Sequence, residues 1–442
     1  MTNKAVKTLL FLIILLILAG AAYWYFFMRG TATDPFTDPN APSTGFTPID
    51  RTIPSINVGG NTTTNNTTGS TTTSGTPGTQ LKIPALRLLS STPVGGYGAS
   101  TTGAVNARPA STTTVFRWID RGRGNTFEAR ANTSDILTLS NTVVPKVYDS
   151  GWNKNLTGFF GLAFSEDNTS VSTLLAQLKT RTLPKISSTT PVSAADSQTP
   201  YELKGRILPD SVVAYAISPK KDRVFLYVNE GGSGVGYTMN FDGTAAVQIF
   251  TTPITQVNVE WPSDTVIAVT TKTSSTEGGF LYFVDSKTGV WKKVLGPLPG
   301  LSTKISRDAK RVFISATSNS NTIVSSIYDI TQNKGVGAVV RTLADKCVWG
   351  NFYKEMVYCA VPSQLAPAAY PEAWYKGDVS FVDKIWQVNA ATGEVHLVSS
   401  VIDSSDRVID AYNLGLDEKD NFLIFMNKND LSLWSLDLVS KN

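Results

Sequence analysis

The chain has 442 residues, 41% of them hydrophobic, and a formal net charge of +4. That length and apolar content suit one large all-β domain or two to three smaller ones. The weak charge, without any basic run, argues against nucleic acid as a partner. A single histidine (His396) and two cysteines argue against a His-centred triad or a multi-His or multi-Cys metal site, so no cofactor and no metal are expected.

Residues 1–30 read as a cytoplasmic tip and a membrane anchor. Leu9 to Met28 is a run of 20 residues without a charge, long enough as a helix to span the ~30 Å hydrocarbon core. Lys4 and Lys7 precede it and Arg29 follows. That bias favours a cytoplasmic N-terminus with the bulk of the chain outside. Tyr23, Trp24, Tyr25, Phe26 and Phe27 suit the far interface. A cleaved signal peptide is the alternative, with Ala19-Gly20-Ala21 as the cleavage site, although the apolar run continues through it. No cysteine follows, so no lipoprotein is expected.

Residues 31–80 read as a flexible linker. Residues 59–79 contain only Gly, Asn, Thr, Ser and Pro, a composition that cannot offset the entropy of ordering. A tether of this length has an r.m.s. span of roughly 40 Å. Its Thr density and the Asn61-Thr62-Thr63 sequon suit glycosylation, and a plain spacer explains both equally.

Residues 81–442 carry a repeat. Trp152, Ile217, Trp261, Ile305, Trp349 and Leu416 are separated by 65, 44, 44, 44 and 67 residues. Each precedes a short polar turn and a second apolar run, such as SPKKDR before VFLYV or SRDAKR before VFISA. Third and fourth strands join through Asp/Asn…Gly hairpins, as in FLYFVDSKTGVWKKV and KIWQVNAATGEVHLV. A period of about 40–45 residues filled with short strands predicts a β-propeller. Seven blades are expected, with six or eight as alternatives. The last blade has only three strands of its own, and LKIPALRLLSS (81–91) is expected to supply the fourth and close the ring.

SPKKDRVFLYV and SRDAKRVFISA resemble the SPDG-type turn and strand of WD40-like repeats in TolB-type propellers. The resemblance extends from about residue 82 to the end, although Lys-Asp, Ala-Lys or Tyr-Lys replaces the usual Asp-Gly. The order of anchor, Thr-rich tether, propeller and YPEAWYKGDVSF insertion also resembles uncharacterised membrane-anchored propellers of candidate-phylum bacteria. These resemblances imply a fold and a location at the cell membrane, with the propeller extracytoplasmic.

The candidate binding site is the insertion Pro362–Ser380, which offers Tyr370, Trp374 and Tyr375 beside Lys376 and Asp378. By analogy with other propellers, this connection shares a face with the blade-to-blade loops, where ligands bind. Pro371 and Gly377 would bracket a short helical turn. Aromatic residues on a loop suit a protein or sugar partner; alternatively, Trp374 folds back to plug the channel or cover a blade edge. The Ser/Thr/Pro-rich segment Thr180–Pro200 reads as a second, mobile loop. Cys347 and Cys359 fall on paired strands, within reach of a disulfide in an exported domain or left as two buried thiols. Glu260 and Lys304 precede successive markers and suit a structural ion pair near the channel. His396 lies on an outer strand.

The expected function is that of a non-catalytic binding or scaffold module for a protein or envelope-glycan partner. One alternative is an enzyme acting on polysaccharide or peptide through channel carboxylates, chiefly Glu260, Asp308, Asp345 and Asp410. Another is a TolB-like envelope assembly component. Fold alone does not decide among them.

Overall fold

Short apolar runs, each ending in a polar turn, pair with the next run along the chain. In the computed structural model, residues 83–103, 112–165, 167–181, 199–208, 212–318, 322–337, 340–401, 405 and 407–439 are described. The expected anchor (Leu9–Met28), the linker and residues 182–198 of the second loop lie outside them. Among the described residues no helix is long and apolar enough to cross a membrane.

The described chain is all-β with a propeller arrangement. Five separate four-stranded antiparallel sheets are blades. In one, Val212–Ile217, Arg223–Glu230, Ser233–Asn240 and Val247–Thr252 pair in chain order. The blades beginning at Val257, Ser302 and Cys347 repeat this order. In the fifth, Ala411–Leu416, Phe422–Asn427 and Leu433–Asp437 are completed by Leu86–Ser90, with Leu88 opposite Trp434. The strand from the start of the domain therefore closes the C-terminal blade.

The first two meanders depart from the expected separation into blades. Strands from Val94 to Ser140 and strands from Val147 to Leu208 form one eight-stranded sheet. Their inner strands meet in a parallel pair at Tyr97 and Gly151. Glycine permits this approach. A Cβ on Gly96, at φ 127°, would lie 2.2 Å from Ser150 Oγ, and one on Gly98 would lie 2.6 Å from Trp152 Cβ.

The repeated first turn has a common construction. Ser218 Oγ accepts the N–H groups of Asp222 and Arg223 and donates to the Asp222 carboxylate. Ser306 Oγ likewise donates to Asp308 and accepts from the Arg311 N–H. The fourth residue of each such turn is left-handed: Lys221 at φ 55°, Ala309 at 56° and Asp420 at 58°. The second strand then runs through the core, with Val224 to Tyr227 and Leu423 to Phe425 all fully buried. The markers pack at the inner edge; Trp152, Trp261, Ile305, Trp349 and Leu416 are buried and Ile217 is half-buried.

Candidate functional site

The insertion folds inward. Its helix, Glu372–Lys376, starts after Pro371 and stops at Gly377, whose φ of 85° suits a residue without Cβ. Tyr370 and Trp374, expected as exposed anchors for a partner, are 1% and 4% exposed. They pack with Ile323, Leu343 and Phe381. This corrects the expectation for these two side chains: apolar burial beside Phe381 wins over display to solvent, and the folded-back alternative for Trp374 is the observed one. Tyr375 is exposed, and its hydroxyl donates to Asp345 Oδ2 at 2.7 Å. Lys376 and Asp378 face solvent. Glu372 reaches the blade that begins at Val257, accepting the Ser275 N–H at 2.9 Å and its hydroxyl at 2.7 Å.

A buried cation fastens this loop. Lys346 has no solvent exposure. Its ammonium donates to Asp383 Oδ2 at 2.8 Å, to Asp410 Oδ1, and to the Ala411 carbonyl at 2.8 Å. It also lies 4.9 Å from the Trp374 ring centroid and 5.1 Å from that of Phe381. Asp410 further accepts the Trp374 indole N–H at 3.0 Å and the Phe381 N–H at 3.0 Å. Burial pushes the Asp383 carboxyl up to about 6 against the pull of Lys346. Asp383 Oδ1 has no hydrogen-bond partner among the described residues. Asp410, a channel carboxylate in the sequence reading, is thus wholly engaged in packing contacts. Asp308 belongs to its turn, where it accepts from Ser306. His396 is exposed on the outer strand, 3.0 Å from Glu394.

Cys347 and Cys359 stand directly opposite each other in the antiparallel pair and form a disulfide. Both are buried.

The main concave site lies elsewhere. A cavity of about 610 Å³ opens where the inner strands end in their first turns, and every blade and both halves of the eight-stranded sheet line it. The second strand runs antiparallel to the inner one, so the insertion that follows it sits at the opposite end. All six markers line the cavity. Glu260 and Lys304 meet there at 3.4 Å, and burial raises the Glu260 carboxyl. Burial also pushes Asp149 up to about 6, against the hydroxyl that Tyr215 donates to it. Lys221, whose ammonium donates to the Ala99 carbonyl at 3.1 Å, is lowered by burial, as is Arg307. A smaller cavity of about 120 Å³, lined by Glu260, Lys304 and Asp345 among others, lies toward the insertion. The sequence reading placed Glu260 and Lys304 at the channel but missed Asp149, Lys221, Arg307 and Lys354. The 44-residue ruler was the available signal, because each of these except Asp149 and Lys354 lies within four residues after a marker.

No protein-family profile and no curated protein matches the chain. Among solved structures it is similar to TolB from Acinetobacter baumannii at 10% identity, over 78% of this chain and 81% of that one, with a TM-score of 0.38. It is similar to an oligogalacturonate lyase from Vibrio parahaemolyticus at 7% identity, over 77% and 97%, with a TM-score of 0.45. The β-propeller domain of the Trilobed protease from Pyrococcus furiosus matches at 9% identity, over 61% and 73%, with a TM-score of 0.36. The structural neighbours are thus TolB-type and other β-propeller proteins, alike in fold alone. The expectation that the chain is not an enzyme is corrected here, because lyases stand among the neighbours and the fold gives no ground for that exclusion.

Proposed function

We propose that this chain is a seven-bladed propeller, with the eight-stranded sheet counting as two blades. In this reading Leu9–Met28 and the Thr-rich tether hold it at a cell membrane, outside the cytoplasm. Its role is to bind a protein or envelope-glycan partner in the open end of the channel. The observation that carries this reading is the 610 Å³ cavity, to which every blade contributes. Its volume falls within the range usual for ligand sites, about 300–1,000 Å³. The Cys347–Cys359 disulfide supports an oxidising compartment. The inward packing of Tyr370 and Trp374 favours the far end of the channel over the insertion.

Site-directed photo-crosslinking in the native cell tests this. A photoreactive residue replaces Lys354 at the cavity mouth, Lys376 on the insertion, or Val290 on an outer turn. One recurring protein or glycan adduct from Lys354, absent from Val290, is expected. Adducts from Lys376 with none from Lys354 would refute the site.

A further inference from the structure

Charge in the cavity is not evenly matched. Lys221, Lys304, Arg307 and Lys354 face Asp149, Glu260 and Glu418, so four cations against three anions leave one positive charge. Most of these groups already have partners. Lys304 pairs with Glu260. Glu418 accepts the Thr101 N–H at 2.7 Å and its hydroxyl at 3.0 Å. Asp149 receives the Tyr215 hydroxyl.

Arg307 differs. It is recessed yet reached by solvent, and its guanidinium makes no hydrogen bond or ion pair with a described residue. Glu260 and Asp420 act on it only through space. Neither is in hydrogen-bond or ion-pair contact with it: Glu260 holds Lys304 and the Asp420 carboxylate accepts the N–H groups of Asn351, Phe352 and Tyr353. A recessed charge without a partner is costly to keep. A guanidinium fork also matches a carboxylate in two-point geometry, which an ammonium does not.

Resting on the proposed binding role, we infer that the ligand is an acidic saccharide whose carboxylate docks on Arg307, with Lys354 of the next blade lining the same cavity. The remaining polar groups favour a saccharide over an acidic peptide. Asp149, Glu260 and Glu418 repel a peptide carrying several carboxylates. The hydroxyls of a sugar instead donate to these same oxygens, and the unpaired Arg307 guanidinium matches one carboxylate.

The test is calorimetric titration of the full chain in detergent with a glucuronate-containing disaccharide. Its methyl ester, a neutral glucose disaccharide and triglutamate are the comparison ligands. The acid is expected to bind, the ester and the neutral sugar at least tenfold more weakly, and triglutamate more weakly than the acid. Arg307→Gln is expected to weaken the acid at least tenfold and the ester by less than twofold. Lys354→Ala, at an exposed site, is expected to cost two- to fivefold and decides the matter should Arg307→Gln fail to fold. Equal binding of acid and ester, unchanged binding by the variants, tighter binding of triglutamate, or no binding of the acid at millimolar concentration would each overturn the inference. A Lys354 crosslink that persists alongside any of these leaves the binding role standing and removes only the saccharide; loss of that crosslink removes the role itself.

Discussion

Lys346→Met tests whether the buried cation holds the insertion in place. The substitution keeps an unbranched side chain of similar length but removes the charge from Asp383 and Asp410, both fully buried. With Lys346 the set sums to one positive and two negative charges; without it two carboxylates share an apolar pocket with Trp374 and Phe381. Breaking a buried ion set by removing one partner costs about 3–5 kcal/mol, since the remaining charges must stay unpaired or take up protons. Urea unfolding followed by tryptophan fluorescence would read this as a lower midpoint at unchanged slope. Asp383→Asn is the contrasting variant. It leaves one positive and one negative charge, and an amide oxygen can still accept from Lys346 and the Ala411 N–H, so a loss below about 1.5 kcal/mol is expected. The pH dependence follows from the same group. The folded-state value of Asp383 is raised to about 6 from 3.8, so the folded protein binds more protons than the unfolded one between about pH 4 and 6. Its contribution to stability is present at low pH and falls as pH rises through that window. Asp383→Asn should remove this part of the slope. A Lys346→Met protein within about 1 kcal/mol of wild type would refute the reasoning, as would an Asp383→Asn protein as damaged as Lys346→Met.

Three further outcomes follow from the fold. Replacing both Cys347 and Cys359 with Ala opens a loop of sequence separation 12. A loss of about 2–3 kcal/mol is expected, and adding reductant should then leave the urea midpoint of the variant unmoved while lowering that of wild type. Ala309→Gly, at φ 56° in a first turn, relieves a left-handed conformation at the expense of chain entropy. A gain of up to about 1 kcal/mol is expected, readable as a higher melting temperature. Gly96→Ala should destabilise by at least about 2 kcal/mol, because φ is 127° and the new methyl would meet Ser150. A melting temperature equal to wild type would show that the two inner strands can separate without penalty.

Features written in local spacing were legible in the sequence. The markers, the Ser-anchored first turns and the Asp/Asn…Gly hairpins each depend on residues within a few positions of one another. The pairing of Leu86–Ser90 with the last blade followed from counting strands, and the opposition of Cys347 and Cys359 from the length of one hairpin. Features made by distant chain were not. Nothing near Gly96 or Gly98 announces that the strand containing Ser150 and Trp152 will approach closely enough to fuse two meanders. Lys346, flanked by Asp345 and Cys347, reads as an ordinary surface lysine; its burial depends on Asp383, which opens a later strand, and Asp410, which immediately precedes another. Arg307 in SRDAKR reads as a solvated turn residue, and only the closed ring turns that position inward.

The two ends of the inner strands have opposite characters, and that asymmetry bears on function. At one end an insertion unique to one blade is anchored by Trp374, Glu372 and Tyr375 to three other elements. Such contacts oppose opening, because moving the helix would strip Asp410 of its indole and leave Trp374 wet. At the other end no single segment among the described residues closes the cavity. Each blade presents the end of its inner strand and its first turn, and a different charged side chain stands there on successive blades: Lys221 on one, Glu260 on the next, Arg307 on the one after. A ring built this way varies the chemistry around the rim from blade to blade. In the proposed binding role, recognition resides in the pattern of charges around the mouth rather than in any one loop. For that reason exchanging Arg307 for a neutral residue is a sharper probe of what this protein binds than deleting the insertion.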